Sequence, residues 1–119
     1  LVPAALSDFI PIKNKGKISS NKIPEIKLKK AKKSIEMIRK KHNGILCAFK
    51  LESGLKDKDL VEKGKALLKN SDFVIANHSE VLGNEKTKLA MITKKDTIWI
   101  EDTKINASKS ILKEISKKI

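Results

Sequence analysis

Short apolar runs alternate with stretches whose apolar residues recur at helical spacing, and this alternation restricts the chain to few folds. The run "LVPAALS" reads as a buried strand, "ILCAF" as a strand covered on both sides and "DFVIAN" as another buried strand. "EIKLKK" alternates, which places Ile26 and Leu28 on one face of a half-buried strand. "KLAMITKKDTIWI" reads as two strands joined at Lys94 to Asp96, a hairpin. Between these runs, Ala31, Ile35 and Ile38 mark one helix, closed by Asn43-Gly44, and Leu60, Val61, Gly64, Leu67 and Leu68 mark a second that ends near Asn70. A last helix carries Ala107, Ile111, Leu112 and Ile115, with Asn106 or Ser108 as its cap.

Strands alternating with helices predict an α/β, Rossmann-like layered fold with a mostly parallel sheet, completed by a β-hairpin and a terminal helix. Such sheets bind ligands in the crevice at the carboxyl ends of their strands. Asp8, Phe49 and Asn77 each stand at or just after the end of an apolar run, so parallel strands would bring the three to one edge. The first run is followed by a polar loop, Lys13 to Lys17, where a parallel sheet normally has a glycine-rich turn and a helix. Neither G-x-G-x-x-G nor G-x-x-x-x-G-K-[ST] occurs, so the chain carries no phosphate-cradling turn and reads as the second half of a domain.

The chain has 119 residues, room for one modest core, and its 39% hydrophobic content places it among folded proteins although 34% of residues are charged. No apolar stretch approaches the roughly 20 residues that cross a bilayer, so the expectation is a cytoplasmic chain with no membrane partner. The single cysteine, Cys47, excludes an internal disulfide and reads as a small buried residue. The net charge of +13 comes almost wholly from lysine, because Arg39 is the one arginine. Nucleic-acid readers favour arginine forks and aromatic platforms, and aromatics are 3% of this chain. A small basic nucleic-acid binder is therefore the second reading, resting on charge alone, and the expectation is no nucleic-acid partner.

Four stretches in order, "AALSDFIP", "GKISS", "AFKLE" and "KALLKNSDFVIAN", followed by "GNEKTKLAMI", carry a resemblance. They are similar to the AAVADYRP, K-I-K-K, G-F-x-x-E and K-x-x-x-K-N-x-D-x-I-V-A-N segments of phosphopantothenate-cysteine ligase. That enzyme is usually the carboxyl-terminal domain of the bifunctional coenzyme A biosynthesis flavoprotein. The resemblance covers residues 1–119 and implies that this chain is the carboxyl-terminal portion of such a domain, with the amino-terminal half absent. It implies a CTP-dependent ligase that activates 4'-phosphopantothenate as an acyl nucleotide and then joins it to cysteine. It also implies Mg2+, CTP as co-substrate, a homodimer, and as partners the amino-terminal half of the ligase domain and a decarboxylase domain. FMN would belong to that decarboxylase domain and not to this chain.

Carried over by position, the resemblance gives Asp8 to the nucleotide and the backbone of Ala4 and Ala5 to its base. Lys17, after the polar loop, would be the catalytic lysine of a flap, neutralising charge at the α-phosphate. Phe49 matches the aromatic of the third segment, although Ala48 stands where the family has glycine. Lys65 and Lys69 match the paired lysines and would hold phosphate oxygens. "AKKSI" lacks the proline of the family's N-P-D-I-like segment, so no site residue is carried there, and no metal ligand is assigned. Read without the resemblance, Asp8 is a turn cap, Lys17 a loop lysine, Phe49 a core aromatic and the two lysines a solvated helix edge. A helix after "ILCAF" should also run back toward the amino ends of the strands, away from the ligand edge. His42 and His78 stand alone and read as surface or turn histidines.

Overall fold

The computed structural model describes residues 7–21 and 23–117, and the chain divides into two compact units, residues 1–41 and 42–119. The first unit is a small antiparallel ribbon followed by a helix. Its strands, β1 (Phe9–Pro11) and β2 (Leu28–Lys30), pair Phe9 with Lys30 and Pro11 with Leu28. Flanking backbone bonds extend the ribbon: Ala31 N donates to Asp8 O and Ile12 N to Lys27 O, both at 2.8 Å. Every residue of both strands is exposed, and of the expected half-buried strand in "EIKLKK" only Leu28–Lys30 is a strand, with Leu28 56% exposed and Ile26, ahead of it, 70% exposed. Helix α1 (Ser34–Lys41) follows, ending in Arg39, Lys40 and Lys41 where cations suit its carboxyl terminus. The apolar run at the chain's start falls outside the described residues except at Ser7.

The second unit is a sheet with one helix on each face. Its strands β3 (Cys47–Glu52), β4 (Phe73–His78), β5 (Lys86–Ile92) and β6 (Thr97–Thr103) lie in that spatial order. The α/β layering, hairpin and terminal helix expected from the sequence are all present, and the sheet itself is mixed. β3 and β4 are parallel, whereas β4–β5 and β5–β6 are antiparallel. The reason is connection length, because a parallel return needs a crossover of a dozen or more residues. Helix α2 (Asp57–Lys65) with the 3-10 turn Ala66–Lys69 supplies one crossover, but only the short turn Ser79–Val81 and its flanks lie between β4 and β5.

Alternation along the strands assigns the two faces. Leu60 and Gly64, four apart on α2, are buried. A Cβ built on Gly64 would meet Ile92, Ala76 and Val74, so these line the α2 face. The other face buries Phe73, Ile75, Leu89 and Met91 with Ala107 of helix α3 (Lys104–Ser116), joined by Ile45, Cys47, Ile100, Ile111 and Ile115. β4 is thus the strand covered on both sides. β3 is an edge strand with Phe49 69% and Leu51 46% exposed, which corrects the expectation for "ILCAF". α3 is capped by Thr103, whose hydroxyl accepts from Asn106 N at 3.3 Å, rather than by Asn106 or Ser108. The latter's hydroxyl bonds back to Lys104 O at 2.7 Å.

Candidate functional site

The residues singled out from sequence divide between the two units. Ala4 and Ala5 lie outside the described residues. Asp8 stands at the base of the ribbon, its carbonyl held by Ala31 N and its side chain exposed. Lys17 is exposed on the loop beyond the ribbon's other end, directly after Gly16, whose φ of +90° is a conformation that favours glycine. Phe49 sits in the middle of β3, opposite Ile75, while Asn77 pairs with Leu51. Phe49 and Asn77 are therefore on one face of the sheet but not level along it.

Lys65 and Lys69 lie elsewhere. Lys65 ends α2, on the face opposite Phe49, and its ammonium pairs with Glu62 at 2.8 Å. That contact lowers the Glu62 carboxyl below its ordinary value. Lys69 ends the 3-10 turn that leads into β4, so it is near the amino ends of the parallel strands. The crossover helix has run back along the sheet as βα geometry requires. Within one chain, Phe49 and these two lysines are not brought together.

A polar cluster at the carboxyl ends of β3 and β4 is what sequence reasoning missed. Asp57, the first residue of α2, receives His78 Nε2 at 2.9 Å on one oxygen and Lys88 Nζ at 2.6 Å on the other. The Lys88 ammonium also lies 4.9 Å from the centre of the Trp99 ring, a diagonal pairing across β5 and β6. The hydrogen bond from Lys88, then that from His78, holds the Asp57 carboxyl below the usual aspartate range, and Asp57 in turn raises Lys88. His78, only 16% exposed at its side chain, is thus a packed partner and not a surface histidine.

Close by in sequence, Glu52 takes Lys50 at 2.7 Å and Lys63 at 2.9 Å, and these bonds lower its carboxyl. Glu80 accepts Gly54 N at 3.0 Å and Ser53 Oγ at 3.3 Å, the Gly54 bond being the main cause of its lowered value. The sequence signal for this cluster was a histidine directly after a buried run and an acid opening a helix. Their spacing gave no hint of contact. Among the described residues no group of three or more His, Cys, Asp or Glu is arranged to hold a metal ion. Among the described residues no helix is long and apolar enough to cross a membrane.

The architecture defines the class, an α/β domain whose mixed sheet is layered between helices, accompanied by a lysine-rich ribbon. The chain belongs to the family described as the DNA/pantothenate metabolism flavoprotein C-terminal domain, which it matches over residues 1–119. It is 30% identical over 119 residues to the coenzyme A biosynthesis bifunctional protein CoaBC of Methanocaldococcus jannaschii, a match that covers 96% of this chain and 30% of that protein. Its fold matches a crystal structure of the DNA/pantothenate metabolism flavoprotein from Streptococcus pneumoniae with a TM-score of 0.80, at 24% identity, over 97% of this chain and 61% of that one. The chain therefore spans less than two thirds of the length of each of these relatives.

Proposed function

We propose that this chain is the carboxyl-terminal portion of a phosphopantothenate-cysteine ligase domain and acts in coenzyme A biosynthesis. The observation that carries the reading is the family match along all 119 residues, and the resemblance of "AALSDFIP" and "GKISS" to the ligase segments supports it. In this reading CTP activates the carboxylate of 4'-phosphopantothenate, pyrophosphate leaves, and the cysteine amine displaces the nucleotide. Charge develops on phosphate oxygens, and a positioned ammonium stabilises it more in the transition state than in the ground state. Lys17 is suited to that role because its loop is exposed and Gly16 lets the backbone turn sharply beside it. Asp8 is the acceptor available to the nucleotide at the base of the same ribbon. Magnesium would arrive on the triphosphate, the usual way this ion is held with one or two carboxylates.

The separation of Phe49 from Lys65 and Lys69 favours an arrangement in which the two lysines serve another protomer's nucleotide. Cross-complementation tests it: with the amino-terminal half of the domain supplied, Lys17→Ala and Lys69→Ala chains are each expected to be impaired and their mixture to regain activity. A mixture no better than the two separate chains overturns the shared arrangement. Lys17→Ala alone is expected to slow acyl-nucleotide formation by roughly 10²–10³-fold, the scale for removing one preorganised charge partner. Near-normal turnover overturns the role of Lys17, and no acyl-nucleotide formation by the assembled wild-type domain overturns the ligase reading.

A further inference from the structure

The second unit opens with the one Asn-Gly step in the chain, Asn43-Gly44. Both residues are exposed and lie outside helix and strand, in the segment that leads from α1 to β3. A glycine just past a helix ordinarily supplies a left-handed φ, but the positive-φ glycines are Gly16, Gly54 and Gly83, so helix closure does not account for Gly44. What the structure places against it is an imidazole: a Cβ on Gly44 would stand 2.9 Å from both Nε2 and Cε1 of His42. The far end of the segment is fixed. Leu46 N donates to Asp72 Oδ2 at 2.8 Å, and Leu46 O accepts from Asp72 N at 2.8 Å.

An asparagine followed by glycine has a reaction of its own. The following main-chain nitrogen, on giving up its proton, attacks the side-chain carbonyl carbon and closes a five-membered succinimide ring. A Cβ on the second residue crowds that approach, and glycine has none. We propose that Asn43 is a self-modification site, at which His42 takes the Gly44 amide proton and Asn43 is converted to aspartate and isoaspartate. The Gly44 N–Asn43 Cγ bond forms and the Cγ–Nδ2 bond breaks. The side-chain nitrogen leaves as ammonia, carrying the proton that the imidazolium returns. Water then opens the ring. Cleavage at Cγ leaves an ordinary aspartate, whereas cleavage at the main-chain carbonyl leaves an isoaspartate, whose backbone runs through Cγ and is one methylene longer.

The other asparagines each lack part of this arrangement. Asn77 is held in β4, and Asn106 lies in α3 with its amide nitrogen bonded to Asp102 at 3.1 Å. Asn70 precedes Ser71, which is buried. Asn14, Asn21 and Asn84 precede lysine or glutamate, whose side chains obstruct ring closure. Each conversion replaces a neutral side chain with an anion, so the net charge of +13 falls by one. The clasp of Asp72 on Leu46 confines the longer backbone of the isoaspartyl form to the residues ahead of it, and β3 keeps its register on β4.

Incubation of the 119-residue chain near neutral pH tests this. Peptide mass spectrometry follows the amide-to-acid change at each asparagine, and methyl transfer by a purified isoaspartyl methyltransferase reports the isoaspartate. Asn43 is expected to convert about tenfold or more faster than any other asparagine, and Gly44→Ala to slow it by about the same factor. His42 is exposed and its ring can turn aside for the new methyl, so folding is not at stake in that variant. His42→Leu is expected to slow conversion several-fold, with added imidazole restoring the rate there but not in Gly44→Ala. Conversion no faster than at Asn14 or Asn84, or an unaltered rate in Gly44→Ala, overturns the site. An unaltered rate in His42→Leu, or no rescue by imidazole, overturns the part given to His42. None of these readouts depends on ligase activity.

Discussion

Gly64 shows how much a single position can decide. It lies on the buried side of α2, where a Cβ would collide with the Ile92 δ1 carbon and touch Ala76 and Val74 at 3.6 Å. Alanine in a helix interior ordinarily gains about 1 kcal/mol over glycine, but overpacking a core costs about 1–3 kcal/mol, and Ile92 is fully buried. Gly64→Ala is therefore expected to lower the Tm, and Gly64→Ala with Ile92→Val, which lacks the offending methyl, to recover most of the loss. A single mutant at least as stable as wild type contradicts the close approach of helix and sheet. Cys47 reads from "ILCAF" as a small buried residue and is partly buried in the structure, and that burial pushes its thiol up to about 11. Since the thiolate is the reactive form, native-state labelling by a maleimide near neutral pH should run about a hundredfold slower than in urea. Equal rates would place the thiol in water. The Asp57 cluster was illegible for the opposite reason: its partners stand 21 and 31 residues away, and no local pattern encodes such contacts.

Elements were read correctly where their own residues determine them, and misread where the neighbour decides. β4 is central in the sheet and has α2 on one face and the α3 cluster on the other, and its run "FVIAN" is apolar on both faces accordingly. "ILCAF" is nearly as apolar but lies at the sheet's edge, and no periodicity distinguishes a central strand from an edge strand. The cap expected at Asn106 or Ser108 lies three or five residues late because the helix begins directly where β6 ends, at Thr103, without a loop to mark the change. Thr103→Ala is expected to cost about 1 kcal/mol, and Asn106→Ala at the supposed cap less, a comparison that urea denaturation can make. At the same end of the sheet, Asp57 joins α2 to β4 and β5. Because its folded pKa is depressed, its contribution is fully present above the ordinary aspartate value of about 3.9 and is lost as pH falls through the lower, folded value. Lys88 is raised by the same bond, so its contribution is present below the ordinary lysine value and lost as pH rises through the folded one. Asp57→Asn should flatten both limbs of the stability–pH curve relative to wild type. An unchanged acid limb in that variant would remove Asp57 from the interactions that stabilise the fold.

At the scale of the whole molecule, the positive charge has an address. Residues 1–41 contain 12 Lys and Arg against 3 Asp and Glu, a net +9, while residues 42–119 hold 15 against 11, a net +4. In the second unit Lys50, Lys63, Lys65, Lys88 and Lys117 are held in ion pairs, whereas Lys13, Lys15, Lys17 and Lys27 of the first unit's loop are exposed. This split was open to reading in the sequence once a boundary near residue 41 was drawn, but composition averaged over the chain hid it. The two units also differ in how they are held. Val74, Ala76, Ala90 and Ile92 are fully buried in the second, and every residue of β1 and β2 is exposed in the first. Backbone hydrogen bonds open to water exchange by local opening, and those in a packed centre exchange only through near-global unfolding. Native-state hydrogen exchange is thus expected to protect the β4 and β5 amides by several orders of magnitude more than those of Ile10, Ile12 or Lys30. Uniform protection across both units in the free chain would contradict this division, because a ribbon so exposed has no packed core of its own to slow its opening.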